Sequence, residues 1–295
     1  MTGSRKAVAL GLFDGVHLGH REVIEAACRQ RKNGLETAVF TFLPESVLRK
    51  KNGGQGYIYT LREKNILLTE DIGIEEVYSP AFDELCTLTG EEFAERILSE
   101  RMGAEVVCCG GDFRFGRNAS CGVKELIDFG KRYGFGVEVV ESVELYGERV
   151  SSSRIRELLL AGETVKAGEL LGYPYFISAP VVDGNHIGRT IDFPTINQDF
   201  SYGQLVPKFG VYSTFTSVGG KVLPSVTNVG VKPTLEGLRR PLAETHIIGY
   251  NGDLYGKNVD VCFKSFIRPE VKFGSLDELK AQIKKDITES LNQTT

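Results

Sequence analysis

The stretch Ala7-Val8-Ala9-Leu10-Gly11-Leu12-Phe13-Asp14-Gly15-Val16-His17-Leu18-Gly19-His20 decides the fold. An apolar run, read as a strand over Ala7–Phe13, meets glycines at 11, 15 and 19, and helical spacing follows from Arg21 to Lys32. Glycine lets backbone amides approach a ligand with no Cβ in the way. A helix N-terminus presents unpaired N–H groups and the positive end of its dipole, which favours anions. His17 and His20 stand three apart, on one face of the helix entrance. Imidazoles aimed at a triphosphate can donate hydrogen bonds to the α-phosphate as charge builds in the transition state. Taken alone, the pattern also fits a glycine-rich turn with two solvated histidines. Its place after the first strand of an α/β pattern favours the phosphate reading.

Outward from this stretch, short apolar runs alternate with helical segments. Strands are expected at Thr37–Phe42, Glu76–Tyr78, Glu105–Cys109 and Gly136–Val140, and helices at Leu61–Glu70, Glu91–Arg101 and Val123–Tyr133. Such alternation implies a doubly wound parallel sheet covered on both faces, with ligands beyond the carboxyl ends of its strands. Two more helices are expected at Arg154–Ala161 and Val165–Leu170. Then the texture changes. Phe176–Ile267 is rich in β-branched and aromatic residues punctuated by glycine and proline, which predicts a compact antiparallel sheet or barrel. Asn251-Gly252 reads as a tight hairpin turn. A closing helix is expected over Leu276–Ile287, capped by Ser275. The boundary is placed near Leu171–Tyr175, giving domains 1–172 and 173–295.

A formal net charge of −4 argues against a broad nucleic-acid surface. No apolar run has the length of a membrane span, and the first residues lack the apolar stretch of a signal peptide. The six cysteines show no zinc-like spacing and read as free thiols in a reducing cytoplasm. The expected assembly is a monomer or a weak homo-oligomer, with no nucleic-acid or membrane partner.

A second motif, Ser151-Ser152-Ser153-Arg154-Ile155-Arg156, precedes a helical run. Its serines suit a helix cap that leaves amides for phosphate oxygens, and its arginines suit a clamp on the β- and γ-phosphates. Standing alone it fits a plain cap with two surface arginines better. Together, G-x-F-D-G-V-H-x-G-H and S-S-S-R-x-R resemble the bacterial bifunctional riboflavin kinase/FMN adenylyltransferase (FAD synthetase) family. Gly110-Gly111-Asp112-Phe113-Arg114-Phe115-Gly116 matches that family's G-x-D-F-x-F-G segment.

The resemblance implies a nucleotidylyltransferase α/β domain followed by a riboflavin-kinase-like β-barrel with a C-terminal helix. It implies His17, His20 and Arg154 as catalytic, and Gly11, Phe13, Asp14, Gly15, Gly19, Ser152, Ser153 and Arg156 as ATP-binding. Phe42, Asp112, Phe113 and Phe115 fall on the flavin side. The nucleophile, a phosphate oxygen of FMN, is already ionised, so catalysis reduces to positioning and charge stabilisation, with Mg2+ bridging phosphates. One departure stands in the loop after the second strand. The family's T-F-x-P-H-P is Thr41-Phe42-Leu43-Pro44-Glu45-Ser46 here, and Glu45 receives no role.

In the second half, Gly188-Arg189-Thr190-Ile191-Asp192-Phe193-Pro194-Thr195-Ile196-Asn197 matches the family's G-R-x-x-G-F-P-T-x-N, and Glu244-Thr245-His246 its E-T-H. The resemblance gives Gly188, Arg189, Phe193 and Pro194 to the kinase nucleotide, and Thr195 and Asn197 to Mg2+, which prefers oxygen ligands. Glu244 would take the proton of the riboflavin hydroxyl, a poor nucleophile until deprotonated. Asp192 replaces a family glycine. Either its charge beside a nucleotide weakens the kinase, or its side chain points to solvent and changes little. Three functions therefore stand: a bifunctional enzyme converting riboflavin and FMN to FAD with ATP, an adenylyltransferase with a silent kinase domain, or a flavin sensor. A pantetheine-phosphate or nicotinate-mononucleotide adenylyltransferase fits the first half alone.

Overall fold

The computed structural model describes residues 5–48, 56–184, 192–233 and 239–292. The chain divides into two compact units, Met1–Ser152 and Ser153–Thr295.

The first unit is built on a five-stranded sheet in the order β3-β2-β1-β4-β5. Its strands are β1 (Lys6–Leu10), β2 (Glu36–Phe40), β3 (Glu76–Tyr78), β4 (Ala104–Gly110) and β5 (Gly136–Val140), and every pair is parallel. Val8, Leu10, Ala38, Phe40 and Val107 carry the sheet's apolar face into a core shared with Phe93, Leu98 and Leu126. Strands buried on both faces read as continuous apolar runs, and Cys108 and Cys109 lie in such a run. Burial pushes their thiols up, to about 12 and about 11.

Helices cover the sheet: α1 (Leu18–Arg29), α2 (Pro44–Leu48), α3 (Leu61–Asn65), α4 (Phe82–Leu85), α5 (Gly90–Glu92) and α6 (Val123–Tyr133). α3 and α5 run on as π-helical turns to Asp71 and Arg101. α3 starts with a capping box, in which Glu63 N–H donates to Thr60 Oγ1 and Thr60 N–H to Glu63 Oε2. A short hairpin, β6 (Glu144–Leu145) and β7 (Glu148–Arg149), precedes the second unit. β1 stops at Leu10, three residues short of the expected strand end. Phe13 and Val16 take positive φ of 46° and 40°, which no strand permits.

The second unit opens with α7 (Ser152–Ala161) and α8 (Thr164–Leu171). Its six-stranded antiparallel sheet has the order β8-β13-β10-β11-β12-β9. The strands are β8 (Phe176–Pro180), β9 (Ile196–Asp199), β10 (Gly210–Val218), β11 (Lys221–Pro233), β12 (Arg239–Ile247) and β13 (Asn258–Arg268). A bridge between Val182 and Asn197 draws the two edges together, so the barrel is nearly closed. Its interior carries a hydroxyl ladder in which Thr216, Ser225, Thr214, Thr227 and Thr245 are linked at 2.8–2.9 Å. α9 (Leu276–Asn292) packs outside, held by a two-pronged Arg268–Asp286 pair and a Ser213–Ser290 contact.

The tight hairpin lies at Gly219-Gly220, not at Asn251-Gly252. Val218 pairs with Lys221, and both glycines take positive φ, 57° and 76°. β12 and β13 are not neighbours in the sheet. The chain between them therefore needs a wide connection, whose positive φ values fall at Gly249 and Gly256.

Candidate active sites

In the first unit, His17 caps α1. Its Nδ1 accepts from the His20 N–H at 3.3 Å, and His17 is only 5% exposed. The His17 and His20 rings stack with centroids 3.5 Å apart, and Phe13 meets His20 edge-on. With Nδ1 occupied as an acceptor, the neutral His17 ring carries its proton on Nε2 and can donate there. The glycines have distinct uses. A Cβ on Gly11 would lie 2.8 Å from the Phe13 ring, while Gly15 supplies a φ of 91°. The Asp14 carboxylate accepts from Ile58 N–H at 2.8 Å and its carbonyl from Ser152 Oγ at 2.7 Å. Asp14 thus ties the turn to two distant segments. On the second unit's first helix, Ser153 and Arg154 are exposed and Arg156 is half-buried, and Arg154 pairs with Glu157.

The expected flavin-side residues divide by burial. Phe115 lies in the core against Phe93 and Phe129, and Phe113 stacks on it from the half-buried side. Asp112 pairs with Arg149 at 2.5 Å. Phe42 packs between Phe40 and Phe82. Ser46, where the family has proline, donates to the Leu43 carbonyl and accepts from Phe82 N–H, so it fastens α2 to α4. Glu45 is exposed.

In the second unit, sheet register sets one row of side chains. Asn197 on β9 is opposite Glu244 on β12, which is opposite Asn228 on β11. Directly paired residues share a face. Asn228 donates to Glu270 at 3.2 Å. The Asn197 amide packs on Gly184, where a Cβ would come within 2.2 Å of its Nδ2. Its Oδ1 is buried without a hydrogen-bond partner. An orphaned amide oxygen is the donor chemistry a hard divalent cation takes, and Thr195, two residues earlier in the chain, carries a hydroxyl of the same oxygen-donor type. His246 Nδ1 lies 2.8 Å from the Pro194 carbonyl and its ring meets Phe193 edge-on, which fixes the Phe-Pro-Thr turn. Asp192 adopts a φ of 63° and its side chain is 92% exposed. Gly188 and Arg189 lie outside the described residues.

Comparison with known proteins then separates the readings. A family model described as FAD synthetase matches residues 2–154, and one described as riboflavin kinase matches 171–294. The chain belongs to the bifunctional riboflavin kinase/FMN adenylyltransferase family. A member from Escherichia coli K12 is 36% identical over 95% of this chain and 90% of its own length. The Bacillus subtilis member is 35% identical over 98% and 92%. The crystal structure of a macrolide-efflux protein from Streptococcus pneumoniae superposes with a TM-score of 0.85 and 31% identity, covering 99% of this chain and 95% of that one. Among the described residues, no helix is long and apolar enough to cross a membrane.

One contact and one residue of this family member escaped the sequence reading. His246 was legible as part of E-T-H, but its hold on Pro194 depends on a turn far away in sequence. Lys64 is 1% exposed and its ammonium lies beneath the G-L-F-D-G turn. The signal was a lysine on the stripe Leu61, Lys64, Leu67, Leu68, where helical spacing calls for an apolar side chain.

Proposed function

We propose that the chain makes FAD in two steps, phosphorylating riboflavin to FMN with ATP and then transferring AMP from a second ATP to FMN with release of pyrophosphate. Residues 1–172 are assigned to adenylyl transfer and 173–295 to the kinase. The observation that carries the reading is the stacked His17–His20 pair at the α1 N-terminus, in a chain that belongs to this family.

In the adenylyl step a phosphate oxygen of FMN attacks the α-phosphorus and the bond to the β-phosphate oxygen breaks. His17 Nε2–H and the His20 ring donate to the α-phosphate as its charge rises, where fixed donors are most effective. Gly11, Phe13, Asp14, Gly15 and Gly19 shape the turn that receives the triphosphate. Ser152, Ser153, Arg154 and Arg156 take its β- and γ-phosphates, and Phe42, Asp112, Phe113 and Phe115 form the flavin side. Stacked phenylalanines offer an isoalloxazine ring a flat apolar wall.

In the kinase step Glu244 accepts the ribityl hydroxyl proton as that oxygen attacks the γ-phosphate. Asn228 and Asn197 flank Glu244 across the sheet. Gly188, Arg189, Phe193 and Pro194 hold the nucleotide, and Thr195 and Asn197 would hold Mg2+. That ion, when bound, offsets phosphate charge. The exposed Asp192 side chain favours the reading in which the kinase is active. Free thiols at all six cysteines support a cytoplasmic location.

Product chromatography after incubation with ATP and Mg2+, once with riboflavin and once with FMN, tests the proposal. FAD from both substrates is expected. FAD from FMN alone would leave only an adenylyltransferase, and FAD from neither would leave a flavin sensor.

A further inference from the structure

Lys64 belongs to neither nucleotide motif, yet its ammonium donates to the Leu12 carbonyl at 2.9 Å, the Thr41 hydroxyl at 2.7 Å and the Phe42 carbonyl at 3.3 Å. Thr41 Oγ1 in turn donates to Leu12 O at 2.8 Å. Three ammonium hydrogens meet three acceptors, and none of the three is a carboxylate. A buried charge held only by dipoles is costly, and an apolar side chain of the same length would fill the space without that cost. Burial lowers the Lys64 pKa to about 8, which registers the same cost, while Asp14 and Glu45 pull it upward. Such a group persists where its bonds have a use.

The acceptors lie on two different loops. Leu12 is in the turn after β1 that receives ATP. Thr41 and Phe42 open the loop after β2, on the flavin side, and β1 and β2 are neighbours in the sheet. We propose that Lys64 is a positioning residue for adenylyl transfer, its ammonium bracing the ATP turn at Leu12 against the flavin loop at Thr41 and Phe42 so that the FMN phosphate meets the α-phosphate at reacting distance. This rests on the reading of the first domain as an FMN adenylyltransferase. Each loop keeps its own substrate contacts without the brace, so binding survives and alignment fails. A misplacement of about 1 Å costs roughly 100-fold in rate, and a loss of alignment appears in kcat rather than in KM.

The test uses the full chain with Lys64→Met, Thr41→Val and the double variant, assayed for FAD from FMN and, in the same molecule, for FMN from riboflavin. Lys64→Met is expected to lower kcat for FAD synthesis by about 10- to 100-fold, with KM for ATP and FMN moving far less and the kinase rate unchanged. Thr41→Val should give a smaller loss of the same kind. The double variant should be no worse than Lys64→Met, because both substitutions release one brace. An unchanged kcat, a loss confined to one KM, or an equal loss in the kinase step overturns the proposal. If Lys64→Met does not fold, an unchanged kcat in Thr41→Val overturns it instead. A wild-type chain that makes no FAD overturns the adenylyltransferase reading itself.

Discussion

Asp192 takes a left-handed backbone, φ 63°, and its carboxylate reaches outward to within 3.8 Å of the Lys280 ammonium. The backbone therefore sits in the left-handed region that glycine enters most readily, while the side chain is turned to solvent. Aspartate tolerates this region better than most residues but still pays about 1 kcal/mol or less, against glycine's greater freedom in the unfolded chain. Asp192→Gly should leave riboflavin phosphorylation within about twofold of wild type and stability within about 1 kcal/mol. Asp192→Ala should be less stable than either. A large gain in kinase rate in Asp192→Gly would show that the carboxylate acts on the nucleotide after all.

The stacked His17 and His20 rings make a separable prediction. His17→Ala removes a donor to the α-phosphate, and loss of one such donor costs about 100- to 1000-fold in kcat. It also removes the α1 cap, worth about 1 kcal/mol. FAD formation from FMN should therefore collapse while riboflavin phosphorylation by the same molecule continues. Parallel loss of both activities in a folded protein would mean that the histidines serve the whole chain.

The five parallel strands of the first domain and its longer helices were legible because each is a continuous apolar run or a 3.6-residue stripe, whereas the short α2, α4 and β6–β7 elements are too brief to show a period. Motifs bound to a turn, such as Gly11 to His20, were legible for the same reason: turn, glycine and helix entrance are contiguous. Relations across the sheet were not. Nothing in the local pattern aligns Asn197, Glu244 and Asn228, because register joins residues 16 and 47 positions apart. Asn251-Gly252 misled because its propensity for a tight turn is local, whereas β12 pairs with β9 and β11, which leaves that dipeptide in a wide crossing. Ser46 looked like a loss of the family's His-Pro and became a hydrogen-bonded link once Phe82 was placed beside it.

The orphaned Asn197 Oδ1 gives an opposition between stability and activity. An unpartnered buried acceptor costs about 1–3 kcal/mol, and an apolar group of similar shape removes that cost. Asn197→Leu should therefore melt no lower than wild type while riboflavin phosphorylation falls at least about 100-fold, as expected when a charge-stabilising ligand is lost. FAD synthesis from FMN should be untouched. A variant that melts several degrees lower and keeps its kinase would show that the amide is structural and its oxygen no ligand.

Gly184 tests the same oxygen from the opposite side. A methyl group there would sit 2.2 Å from Asn197 Nδ2, so the amide must swing away. Gly184→Ala should reproduce the kinase loss of Asn197→Leu without touching residue 197, and the two together should lose little more than either alone. Additive losses would place Gly184 in a separate role.

Lys64 makes stability depend on pH in an unusual window. Its pKa falls from 10.5 unfolded to about 8 folded, with burial the largest cause and Asp14 and Glu45 opposing. Between those values the unfolded chain binds more protons, so stability rises with pH there. The contribution is fully present above about pH 10.5 and lost as pH falls through about 8. Its size is roughly 3 kcal/mol for a shift of this magnitude. Lys64→Met lacks the titration. Denaturant unfolding of wild type and Lys64→Met from pH 6 to 10.5 should show wild type gaining on the variant as pH rises above about 8, with the two curves parallel between pH 6 and 7. A difference that stays flat across the window would mean that Lys64 keeps its full charge in the folded protein at high pH, and that the Leu12, Thr41 and Phe42 oxygens compensate burial completely.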